Sequence, residues 1–120
     1  MRQTILVVDD QPGTRRLVRN ILERDGYSVV EAEDGPSAWQ AMHHRDDIVS
    51  LALIDVDLPG PKGRQVAEHL QMLAPLRVLF MSGHRPDVLI DDGQLAPGAP
   101  LLAKPFKVGE LLEAIGSELS

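Results

Sequence analysis

Four apolar runs in this 120-residue chain stop at side chains able to do chemistry. Ile5 to Val8 is followed by Asp9 and Asp10, Leu51 to Ile54 by Asp55, Val78 to Met81 by Ser82, and Leu101 to Ala103 by Lys104. Brought into one crevice, the three carboxylates would repel by about 4 kcal/mol per pair, at about 4 Å and an effective dielectric of about 20. Something must neutralise them. Carboxylate oxygens are hard ligands that suit magnesium, an ion that keeps several waters and completes its shell with phosphate. The Ser82 hydroxyl and the Lys104 ammonium suit phosphate oxygens. Singly, each residue has an ordinary use, since Asp and Ser-Gly form turns and caps and a lysine before proline is a solvated side chain. The coincidence of four such strand ends is what points to a magnesium and phosphate site. The four histidines offer no rival metal site: His43 and His44 are adjacent, and His69 and His84 stand alone without i, i+4 spacing. They read as surface residues.

The elements that must hold these groups are visible as a repeat. Apolar runs begin at 5, 28, 51, 78 and 101, with spacings of 23, 23, 27 and 23 residues, each the length of a strand, a three-turn helix and two short loops. Between them the period changes. Leu17, Val18, Ile21 and Leu22 share a helical face, as do Val66, Leu70 and Leu73, and Val108, Leu111, Leu112, Ile115 and Leu119. Strands apolar on both faces belong to a parallel sheet covered by helices on both sides, an α/β architecture of five βα units. In an open sheet of that kind the C-terminal strand ends line the ligand crevice. From Gly83 to Pro100 six of 18 residues are Gly or Pro, so the fourth helix is expected to be short, near Pro86 to Asp92.

Composition excludes several classes. The chain carries 12 basic and 18 acidic residues, a net charge of −6, and four aromatic residues, which argues against direct nucleic-acid binding. It has no cysteine, which removes disulfide scaffolds, thiolate zinc sites and cysteine nucleophiles together. No apolar run approaches the length of a membrane span, and the first residues lack the apolar core of a signal peptide, so a cytoplasmic protein without membrane insertion is expected. Nothing divides the chain, and residues 1–120 read as one domain with a radius of gyration of roughly 14 Å.

Ile5-Leu6-Val7-Val8-Asp9-Asp10, Leu53-Ile54-Asp55-Val56-Asp57-Leu58-Pro59-Gly60 with Gly63, Phe80-Met81-Ser82-Gly83 and Lys104-Pro105-Phe106 resemble, in order and spacing, the receiver domain of two-component response regulators. The resemblance covers the whole chain. It implies a doubly wound, flavodoxin-like (βα)5 fold with parallel strand order 2-1-3-4-5. It further implies phosphoryl transfer from a phosphohistidine on a sensor histidine kinase or histidine phosphotransfer protein to Asp55. Asp10 would bind Mg2+ directly, Asp9 would help position it, Asp55 would contribute its acceptor carboxylate, and the Asp57 backbone carbonyl would supply a further ligand. Ser82 and Lys104 match the phosphate-contacting pair. The Lys104–Pro105 peptide is cis in this family, against a base rate of about 5% for such bonds. Asp57 and His84, each two positions beyond a site residue, are expected to set the lifetime of the phosphorylated form. Such a protein catalyses its own phosphorylation and autodephosphorylation and has no conventional turnover substrate.

Three departures from the family pattern bear on mechanism. Leu101 stands where an aromatic switch residue is frequent, so with Ser82 as the other switch position the signal is expected to leave through an order change in Gly83 to Pro100. Gln11 replaces a frequent acidic residue, and Lys107 with Gly109 gives the last helix a poor start. The tail from Met81 to Phe106 looks most like receivers attached to the C-termini of hybrid histidine kinases. Two other functions fit some of the same residues. Asp55-Val56-Asp57 resembles the Asp-x-Asp of haloacid-dehalogenase-type phosphatases, although there the pair comes first in the chain, and a receiver can also serve only as a docking module.

Overall fold

The computed structural model describes residues 2–44 and 48–120. The elements alternate as β1 Thr4–Val8, α1 Pro12–Arg24, β2 Ser28–Ala32, α2 Gly35–His43, β3 Val49–Asp55, α3 Gly63–Leu73, β4 Arg77–Ser82, α4 Pro86–Asp91, β5 Leu101–Ala103 and α5 Val108–Leu119. The strands form one parallel sheet in the order β2-β1-β3-β4-β5, so the expected doubly wound fold is present. Each strand begins within two residues of its apolar run. The Cα radius of gyration is 13.1 Å.

Alternation along the strands splits the core in two. Leu6, Val8, Ala52, Ile54, Val78 and Phe80 face Ala38, Val66, Leu70 and Leu89 of α2, α3 and α4. Ile5, Val7, Leu51, Leu53, Leu79 and Met81 face Val18, Leu22, Leu111 and Ile115 of α1 and α5. Both faces of the central strands are thereby taken out of water, which is why those strands read as continuous apolar runs. Each fully buried Leu, Ile or Val contributes about 1.5–3 kcal/mol relative to exposure.

Some expectations hold only in the centre. In β2 only Ala32 is buried and in β5 only Leu102, because both are edge strands with one side unpaired. Leu17, Leu73 and Val108 leave the core, at 57, 39 and 54% exposed, since each sits at the margin of its helical stripe or in a terminal turn. The fourth helix has six residues and ends at Asp91, where Gly93 at φ 75° turns the chain. Lys107 does not cap α5 with its side chain, but its amide donates to Glu110 Oε1 at 2.8 Å, so the carboxylate three residues on satisfies the helix start. Among the described residues no helix is long and apolar enough to cross a membrane.

Candidate functional site

Register decides which polar groups meet. Val8 pairs with Ile54 across β1 and β3, so the next residues, Asp9 and Asp55, emerge side by side at the strand order's switch point. On the far side, Asp55 pairs with Met81 and Ser82 with Ala103, which brings Ser82 and Lys104 to the same edge. The Lys104 amide donates to the Ser82 carbonyl at 2.8 Å, and the Lys104–Pro105 peptide is cis.

Asp9 is fully buried and bonded at every polar group. Its amide donates to the Ala32 carbonyl at 3.1 Å and its carbonyl accepts from Arg15 Nη1 at 2.7 Å. Its Oδ1 accepts from the Gln11 amide at 2.9 Å, and its Oδ2 from Lys104 Nζ at 3.0 Å. Asp55, 6% exposed, accepts from the Asp57 amide on Oδ1 and from Lys104 Nζ on Oδ2, both at 2.9 Å. Asp10 is exposed beside them, and the three carboxylates each offer an oxygen within 4.8 Å of the others. Burial pulls the Lys104 ammonium toward its neutral form, but the hydrogen bonds to Asp55 and Asp9, with their charges, outweigh it and hold its pKa above the ordinary 10.5.

Lys104 therefore already neutralises one of the three negative charges. What is left is an acidic, oxygen-only donor set open to water at Asp10, and this fits a divalent cation of the magnesium type. Asp57 stands apart from that set. Its side chain faces Ser82 and His84, with Oδ2 3.4 Å from both Ser82 Oγ and His84 Nε2. Ser82 is buried and its Oγ also accepts the His84 amide at 3.0 Å. Leu101 is half-buried against the core on the α4 side. His43, His44, His69 and His84 are all exposed, as their spacing suggested.

The packing role of Gly63, present above only as part of the family pattern, and the whole of a second residue escaped the sequence reasoning. Gly63 donates its amide to the Val56 carbonyl, and a Cβ there would lie 2.5 Å from the Asp55 carbonyl oxygen. Only glycine lets α3 start this close to the acceptor strand. The other is Arg15, and its signal was Glu31, a charge inside the apolar run of β2 that needed cationic partners.

The family model described as "Response regulator receiver domain" matches residues 5–116. The chain is 30% identical over 119 residues to the uncharacterized transcriptional regulatory protein YrkP of Bacillus subtilis (strain 168), covering 99% of this chain and 50% of that one. It is 28% identical over 117 residues to sporulation initiation phosphotransferase F of the same organism, covering 96% and 92%. The structure of chemotaxis response regulator CheY4 of Vibrio cholerae superposes with a TM-score of 0.85 at 25% identity, covering 99% and 100%. The chain spans about half the length of several curated relatives it matches, YrkP among them. With the family pattern running through nearly every residue and the acidic strand ends in place, the chain belongs to the response regulator receiver domain family.

Proposed function

We propose that Asp55 accepts a phosphoryl group in a magnesium-dependent step of two-component phosphorelay signalling. The donor is a phosphohistidine on a sensor histidine kinase or histidine phosphotransfer protein. One carboxylate oxygen of Asp55 attacks phosphorus in line as the P–N bond breaks, and the electron pair remains on the departing imidazole. No general base is needed, because the nucleophile is a carboxylate rather than a hydroxyl. The observation that carries this reading is the single Nζ of Lys104 on both Asp55 and Asp9, beside Asp10.

Asp10 and Asp55, with Asp9 behind them and the Asp57 carbonyl, would hold Mg2+, which supplies charge neutralisation for the phosphoryl oxygens. Lys104 meets the same oxygens after leaving Asp55, and Ser82 donates its hydroxyl to them. Asp57 and His84 border the path of water to the acyl phosphate and set its lifetime. The domain of residues 1–120 then alters its conformation through Ser82 and the segment before Leu101. The net charge of −6 supports a protein partner rather than nucleic acid, and the lack of cysteine fits a cytoplasmic setting. Phosphotransfer from a panel of purified, autophosphorylated histidine kinases tests the reading: wild type takes up label from at least one, and Asp55→Asn from none. Label retained by Asp55→Asn would contradict it.

A further inference from the structure

Arg15 touches the acidic site without touching a carboxylate of it. Its Nη1 donates to the Asp9 carbonyl at 2.7 Å and its Nε to Glu31 Oε1 at 2.9 Å, with the side chain only 17% exposed. Glu31 is held on its other oxygen by Arg19 Nη1 at 2.8 Å, and Arg19 in turn faces Glu23 at 3.3 Å. The chain of contacts runs from the edge strand β2, through the first turn of α1, to the Asp9–Asp10 peptide just past the end of β1. That peptide is planar, so the carbonyl of Asp9 and the amide of Asp10 move as one unit. Fixing the oxygen fixes the plane from which Asp10 departs.

We infer that Arg15 is a positioning residue for the cation site: anchored by Glu31, it orients the Asp9–Asp10 peptide and so aims the exposed Asp10 carboxylate toward Asp9 and Asp55. This rests on reading the acidic group as a magnesium site. A purely electrostatic role has the opposite sign, because a guanidinium this near a divalent cation repels it and its removal should tighten binding. Lysine separates the two effects, since it keeps the charge but cannot hold two acceptors in a fixed fork.

The test is the Mg2+ dissociation constant of the whole chain, from calorimetry and from amide shifts during Mg2+ titration. Hydrogen-bond partners of metal ligands commonly contribute tenfold or more, so Arg15→Lys should weaken Mg2+ binding about tenfold. Arg15→Gln should weaken it too, whereas Arg19→Lys, which leaves the Arg15 contacts in place, should stay within about twofold of wild type. In metal-free protein, Arg15→Lys should shift the Asp10 and Gln11 amides and leave those of Ser82 and Lys104 in place. Should Arg15→Lys not fold, Glu31→Asp withdraws the anchor while keeping its charge and should loosen Mg2+ in the same way. Binding unchanged in Arg15→Lys, or tighter in Arg15→Gln, would overturn the inference while wild type still binds. Wild type that fails to bind Mg2+ would remove the magnesium site itself and the inference with it.

Discussion

Lys104 Nζ lies 2.9 Å from Asp55 Oδ2, although the two residues are 49 positions apart in the chain. The contact closes the sheet's acidic edge and puts a cation on the carboxylate proposed to receive the phosphoryl group. In the proposed phosphate capture the ammonium would redirect donors from carboxylate to phosphoryl oxygens.

Removing that cation should expose the repulsion it balances. In Lys104→Met, Asp9 and Asp55 lose a charge-assisted donor, and stability in the presence of chelator should fall by about 1–3 kcal/mol. Saturating Mg2+ should then raise the melting temperature of Lys104→Met more than that of wild type, because it replaces the missing charge. Thermal unfolding with and without Mg2+ checks both statements.

Acid should weaken the brace behind the site. The hydrogen bond from Arg19 holds the Glu31 pKa below the ordinary 4.5 against the opposing effect of burial, with Arg15 adding to it. A carboxylate lowered in the folded state contributes stability above about its unfolded pKa and loses it as pH falls through the folded one. Glu31→Gln should therefore be less stable than wild type at pH 7, by about 1 kcal/mol. The gap should close as pH drops below 4.5. Urea midpoints for both proteins across that range measure it.

Gly63→Ala should be costly for a reason specific to the acceptor. Its Cβ would meet the Asp55 carbonyl oxygen at 2.5 Å and Val56 Cα at 2.9 Å, and neither backbone atom can rotate away. A destabilisation of about 1–3 kcal/mol is expected, with Asp55 displaced and phosphoryl uptake slowed even in the folded fraction. Chemical denaturation and single-turnover uptake separate the two effects.

The lifetime of the phosphorylated state should respond to the pair beyond the acceptor. Asp57 Oδ2 faces Ser82 Oγ and His84 Nε2, each at 3.4 Å, where a carboxylate both orders water and repels phosphoryl oxygens. At least one of Asp57→Asn and His84→Ala should change the decay rate by more than about twofold, a barrier change of about 0.4 kcal/mol.

Output should appear as order rather than as ring rotation. Leu101 is half-buried and has no ring to swing, while the segment from Gly83 to Pro100 holds only the six-residue α4 pinned by Leu89. Capture of Ser82 by phosphate supplies about 1.5–3 kcal/mol per charge-assisted hydrogen bond to shift this segment. Amide exchange with and without beryllofluoride should change from Gly83 to Pro100, not around Leu101 alone.

The strands and their polar ends were readable because central parallel strands are buried on both faces and tolerate no interruption until they stop. Asp9, Asp55 and Ser82 stood out for that reason, and Lys104 because it follows the short apolar run of the edge strand β5. Arg15 did not, since its partners Glu31 and the Asp9 carbonyl come from two other elements and only the packing of α1 brings them together. The exposure of Leu17 was likewise hidden, because periodicity gives a helix's apolar stripe but not how far the sheet beneath it extends. Lys104 was legible as a phosphate contact but not as the resting clamp on two carboxylates.

The most direct test of the account is intact mass after incubation with acetyl phosphate, a donor that requires no cognate kinase. Wild type should gain one phosphoryl group in Mg2+ and none in excess chelator, and Asp55→Asn should gain none in either. Equal uptake by Asp55→Asn, or uptake by wild type that ignores the chelator, would contradict the assignment of Asp55 as a magnesium-dependent acceptor.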